Sequence, residues 1–178
     1  MHWDTVIKFW FKDSSPKQWF TKDKKFDAQV RLKFLTTYWQ VVRGETAHWR
    51  KAPRGRLAEI IVLDQFSRNM FRGTPAMYQY DALALALAQE AIAQGAEKSL
   101  SKDERMFMYL PFEHSESKVI QRESVRLFKQ IWGKDMMKYA IDHKRIVDRF
   151  GRFPHRNAIL GRKNTAAEKK FLKTHKGY

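Results

Sequence analysis

Residues 57–71 read LAEIIVLDQFSRNMF, and this stretch decides between a strand protein and a helical one. Leu57, Ile60 and Ile61 recur at helical spacing, and Leu63, Phe66 and Met70 form a second row beside them. The β-branched residues fall inside that period and do not alternate, so the segment reads as helix. A helix this apolar is enclosed by its neighbours. Its apolar stripe continues onto Asp64, with Arg68 one turn later, and Gln65 with Asn69 forms a second i,i+4 pair. Enclosed charges need partners. Two readings satisfy that rule equally: an Asp–Arg pair that fixes helix packing, or the wall of a polar cleft.

Helix punctuation continues on both sides. Ser15-Pro16 has the N-cap and N1 pairing of a helix start. A long segment from about Lys24 to Arg43 places Phe26, Val30, Leu35, Tyr38, Trp39 and Val42 at helical spacing, with Gly44 as its stop. Pro53 opens the segment that contains the central stretch, and Gly73 breaks it. Thr74-Pro75 begins a helix that DALALALAQEAIAQ carries to Gly95. Ser101 with Glu104 is a capping box, and Pro111 stops the helix that follows it. Helices from about Glu116 to Trp132 and from about Lys134 to Phe150 end at Gly133 and Gly151. Thr165 with Glu168 is a second capping box, opening a terminal helix through Leu172. No Asn-Gly or Asp-Gly hairpin occurs. Short connections predict antiparallel neighbours, so the expectation is all-α: one domain, residues 1–178, of about seven to eight helices in stacked hairpins.

Composition agrees with a packed chain. The 178 residues include 13 Phe, 6 Trp and 6 Tyr, enough for a real core, and no Cys. Structural disulfides, thiol catalysis and Cys-ligated zinc are thereby excluded. The N-terminus MHWDTVIKFWFKDSS lacks the pattern of a signal peptide, and no uncharged apolar run approaches a membrane span. The expected location is the cytoplasm. The net charge of +16 is uneven: +7 in residues 1–60, −2 in 61–120 and +11 in 121–178. Basic ends attract nucleic acid, anionic lipid or acidic partners, and they also serve simply as a solvated surface.

Three further stretches carry polar chemistry. PFEHSE, residues 111–116, sits in a connection between helices and offers Glu113, His114 and Glu116 as acid, base or orienting groups. The plainer reading has Ser115 or His114 capping the next helix, with Glu116 in its first turn. His143 shares a helical face with Tyr139, Ala140, Ile146, Val147 and Phe150, where a lone histidine is usually a core residue. FGRFPHRN, residues 150–157, brings Arg152, His155, Arg156 and Asn157 around Gly151 and Pro154. Its arginines suit a carboxylate or phosphate, and equally an internal partner such as Asp64, Glu113 or Glu116. Walker, dinucleotide, HExxH and Gly-x-Ser-x-Gly patterns are absent, and no local spacing argues for a metal site.

LDQFSRNMFRGTP, YLPFEHSE and FGRFPHRNAILGR, with the N-terminal FWF, WF and FD and the later Gly and HW, resemble the signature blocks of a bacterial family, domain of unknown function 924. The resemblance covers essentially the whole chain. It implies an all-helical, tetratricopeptide-like arrangement and brings no activity, substrate or cofactor. Its blocks fall on Asp64, Gln65, Arg68, Asn69, Arg72, Glu113, His114, Ser115, Glu116, Arg152, His155, Arg156 and Asn157. Three functions follow as expectations. One is a binding module in which Asp64, Gln65, Arg68, Asn69, Arg72, Arg152, Arg156 and Asn157 hold a peptide or small anionic ligand. Another is an enzyme of the hydrolase kind, with His114 or His155 as general base and Asp64, Glu113 or Glu116 as the orienting carboxylate. The third is nucleic-acid binding through the basic ends.

Overall fold

The structure is a computed structural model that describes residues 1–175 and 177; within its longest helix, residues 132–136 are described by backbone alone. The fold is all-α, with no strand among the described residues. The helices are α1 (Trp3–Lys8), α2 (Pro16–Phe20), α3 (Lys24–Val42), α4 (Pro53–Ile61), α5 (Ser67–Met70), α6 (Asp81–Ala93), α7 (Lys102–Glu113), α8 (Lys118–Phe150) and α9 (Ala166–Leu172). Contacts gather them into two units. The first comprises residues 1–72 and 76–111, the second residues 73–75 and 112–178.

In the first unit, α4 lies against α1 and α6, while α3 lies against α5. Fully buried Trp10, Phe34, Phe66 and Phe107 form the aromatic centre. The rings of Phe34 and Phe66 are 4.6 Å apart, and Trp10 meets both Phe66 and Phe107 edge-on at 5.5 Å. Burial of this kind stabilises each large side chain by about 2–3 kcal/mol. Gly55 is required where α4 passes the preceding turn, because a Cβ there would stand 2.0 Å from the carbonyl oxygen of Trp49. The buried register of α3 is Phe26, Val30, Phe34, Tyr38 and Val41; Leu35 and Val42 are half-buried and Trp39 is exposed. Phe26, Val30 and Tyr38 of the expected stripe are thus buried, while Phe34 and Val41 take the places read for Leu35 and Val42 and Trp39 turns outward.

In the second unit, Ile146 and Val147 of α8 close a small core with Phe153, and Phe150 and Phe171 pack against it. Gly151 ends α8 in the left-handed region at φ 69°, as its place in the sequence predicts.

Three expected boundaries are corrected. Residues 53–70 are one continuous helical run interrupted by a wider π turn at Val62–Phe66, so the central segment contains an extra residue in one turn. Pro111 does not stop α7, which runs to Glu113. Proline removes one backbone hydrogen bond, and burial of Pro111, Phe112 and Glu113 keeps the last turn in place. Gly133 does not divide α8, because one glycine costs a helix only about 1 kcal/mol. The capping boxes Ser101/Glu104 and Thr165/Glu168 both form.

Candidate functional site

The π turn places Asp64 fully inside the first unit. Its carboxylate accepts from Gln65 Nε2 at 2.5 Å and lies 3.2 Å from Arg68 Nη1. Arg68 also donates to the Asp64 carbonyl and forks onto Asp81 at 3.0 and 2.9 Å. Burial alone would lower the pKa of Arg68; Asp64 and Asp81 outweigh it and raise the value, keeping the guanidinium charged. Beside this group, Asp27 of α3 accepts from Asn69 at 2.8 Å and from Arg72 at 2.6 and 2.8 Å. Arg31 donates to the Met70 carbonyl. Asp64, Gln65, Arg68, Asn69 and Arg72 therefore bind α3, α5 and α6 together through Asp27 and Asp81. The sequence reading passed over those two acids because each sits in the first turn of its own helix, where an acid already has a reason to be.

In the second unit, PFEHSE and FGRFPHRN meet. Glu116 accepts from the Phe153 amide at 2.7 Å and from both terminal nitrogens of Arg162, at 2.6 and 2.9 Å. Arg162 also donates to the Phe153 carbonyl, so one ion pair clamps both sides of that residue. Although burial opposes it, the hydrogen bonds from Arg162 and Phe153 hold the Glu116 pKa below the ordinary glutamate value. Arg156 donates to the His114 carbonyl at 2.9 Å and lies over the Phe153 ring at 4.7 Å. Arg152 forks onto Glu168 at 2.7 and 2.9 Å and drives that carboxyl down to about 2. Asn157 donates to Asn164 at 2.7 Å.

The connection itself is held by Gln121, which no sequence signal marked. Its buried amide donates to the carbonyls of Glu113 and Ser115, both at 2.7 Å, satisfying the end of α7. The N-cap of α8 is Ser117; Ser115 instead receives the Ser117 amide, and Glu116 lies outside the helix. The expected cap at Ser115 or His114 is corrected to that extent.

Histidines gather around the same Phe153 ring. His143 and His155 face it at 5.5 and 5.6 Å. His143 Nδ1 is 2.9 Å from the Tyr139 carbonyl and 3.3 Å from Glu113 Oε1. Both neighbours accept, so Nδ1 carries the proton in the neutral ring and Nε2 carries the lone pair. Burial pushes His143 down to about 3; burial, then Arg156 and His175, pushes His155 down to about 4. Among the described residues no three His, Asp or Glu side chains are grouped to hold a metal.

A cleft of about 730 Å³ opens elsewhere, within the first unit. Trp3, Phe11 and Trp19 line it together with Lys8, Lys12, Lys33 and Arg54 and with Asp13, Asp103 and Glu104. Arg54 is held on Glu104 at 2.7 Å, and Lys33 lies over the Phe9 ring at 4.9 Å. Lys8, Lys12, Asp13 and Asp103 make no ion pair among the described residues. The sequence reading did not find this cleft, whose walls come from five helices distant in the chain.

These features define a helical protein with two internally tied polar networks and one open aromatic cleft. The chain belongs to a bacterial protein family of unknown function, DUF924, whose profile matches residues 6–176. It is also similar to a solved structure, a protein of unknown function, ATU0120, from Agrobacterium tumefaciens, with 40% identity, 96% of each chain covered and a TM-score of 0.91. No curated protein matches it. No helix among the described residues is long and apolar enough to cross a membrane.

Proposed function

We propose that this protein is a binding module rather than a catalyst, and that the cleft of the first unit receives its ligand. The cleft carries the proposal: about 730 Å³ is the size of a small-molecule or short-peptide site. Its walls combine half-buried aromatic side chains with charges of both signs, of which Arg54 and Glu104 are paired while Lys8 and Lys12 are exposed. A peptide suits that lining better than a simple anion, with an aromatic or aliphatic anchor on Trp3 and Trp19 and an acidic group toward Lys8 and Lys12. The tetratricopeptide-like arrangement implied by the family resemblance is compatible with this use.

The polar cluster of the second unit supports the same preference. A general base works best with a pKa near the working pH. His143 and His155, pressed down to about 3 and 4, are weak bases. Arg152, Arg156 and Glu116 already have internal partners.

The test is a titration of tryptophan emission with a library of short peptides carrying an aromatic residue next to acidic ones. Saturable quenching, lost in Trp3→Ala and weakened in Lys8→Glu/Lys12→Glu, is expected. Quenching unaffected by either variant would place binding elsewhere. Absence of any response across the library would refute the peptide reading.

A further inference from the structure

The second unit carries a charge excess that its own acids do not absorb. Glu113 lies against His143; Glu116, Glu123, Asp142, Asp148 and Glu168 are each paired with an arginine or lysine of the same unit. Arg156 is buried, whereas Lys118, Arg122, Lys129, Lys138, Arg149, Lys163, Lys169, Lys170 and Lys173 are exposed. On the first half of α8 they are ordered. Lys118, Arg122 and Lys129 are all exposed and follow at spacings of four and seven residues, and Arg126, shared with Glu123, falls between them. At 100° per residue these four positions lie on one edge of the helix, with successive steps of about 4.5–6 Å along its axis. Leu127, Phe128 and Ile131 are buried, so the apolar face of this segment is committed to packing.

We infer that this edge of α8 is a track for the phosphate backbone of a nucleic acid. A row of cations on a straight rod matches a linear, evenly charged polymer. Arginine forks add geometry to the contact, since a guanidinium meets phosphate oxygens in pairs. An anionic bilayer is the competing source of phosphate. It is disfavoured because, among residues 118–131, Val119 is the only exposed large apolar side chain beside the row, too little to enter the interface. The track reads charge and spacing and makes no claim on base sequence. It is independent of the cleft in the first unit.

The experiment is fluorescence anisotropy of the full chain with a labelled single strand and a labelled duplex of about 20 nucleotides, between about 50 and 200 mM salt. With about four phosphate contacts, the plot of log K against log salt should have a slope of about −3 to −4. The variant Lys118→Gln/Arg122→Gln/Lys129→Gln changes only exposed side chains, and circular dichroism checks that its helix content is retained. It should flatten the slope by about 2 for the single strand and nearly 3 for the duplex, and weaken binding at least tenfold. A control variant, Lys22→Gln/Lys24→Gln/Lys25→Gln, removes equal charge from the first unit and should leave most of the slope in place. Equal losses in the two variants would mean a diffuse charge effect and would overturn the track. So would absence of binding at low salt, or binding to vesicles containing phosphatidylserine with none to nucleic acid.

Discussion

The two units solve the same problem, buried polarity, in opposite proportions. The first has a large aromatic centre, in which Trp10 meets Phe66 and Phe107 edge to face and Phe34 packs tilted on Phe66, and its charged groups tie helices around that centre. The second buries Leu127, Phe128 and Ile131 of α8 and a cluster of Ile146, Val147 and Phe153, and the chain after α8 is fastened by ion pairs and carbonyl bonds: Glu116 to Arg162, Arg152 to Glu168, Arg156 to His114. Apolar burial is insensitive to pH and salt, whereas charge-assisted ties depend on the protonation of each partner. The first unit should therefore respond chiefly to lost volume and the second to lost charge.

The largest effect that would test this contrast is Phe66→Ala. The side chain is fully buried against Phe9, Trp10 and Phe34, and its removal should destabilise the protein by about 4 kcal/mol, read from denaturant unfolding. A loss below about 1 kcal/mol would mean that the aromatic centre does not hold the first unit. Next in size is acid. His143 and His155 are neutral when folded, with pKa values near 3 and 4, whereas the unfolded chain binds those protons near pH 6.5. The unfolded state therefore gains protons first as pH falls. Stability should be level above pH 6.5 and decline below it down toward the folded values, by up to about 1.4 kcal/mol per pH unit for each histidine. Hydrogen exchange converted to opening free energies should show this decline in residues 143–157 before residues 57–66. An equal decline in both would contradict the comparison, and His143→Phe should remove part of the slope.

Much of the fold was legible because helix signals are local. Gly44, Gly73, Gly95 and Gly151 all adopt positive φ near helix ends, and both capping boxes close as their spacing requires. Pro111 and Gly133 misled because neither residue alone forbids a helix: the cost is about 3 kcal/mol for the proline, whose neighbours are buried, and about 1 kcal/mol for the glycine. The π turn had no signature, since LDQFS reads the same with or without an extra residue in the turn. The site was legible in kind but not in partner. Asp64 and Arg68 stood out as charges in an enclosed helix, and Glu116 and Arg152 as polar residues of two connections; Asp81, Asp27, Arg162 and Gln121 complete these networks through contacts that chain order does not announce.

A smaller and sharper probe of the second unit is Glu116→Gln. The variant keeps the shape of the side chain but removes the charge that meets Arg162 and the Phe153 amide. It should cost about 2 kcal/mol, since a charge-assisted pair becomes an ordinary hydrogen bond and Arg162 loses its counterion. The smallest effect belongs to Asp142→Asn. Asp142 pairs with Arg145 one turn along α8 at 3.3 Å, but the arginine side chain is 74% exposed. Water screens such a pair, and holding two long side chains together costs rotamer entropy, so a change of no more than about 0.5 kcal/mol is expected. The two substitutions remove one formal negative charge each from the same unit. If Asp142→Asn proved as costly as Glu116→Gln, net charge rather than enclosure would govern this unit, and its clamp around Phe153 would lose the role given to it.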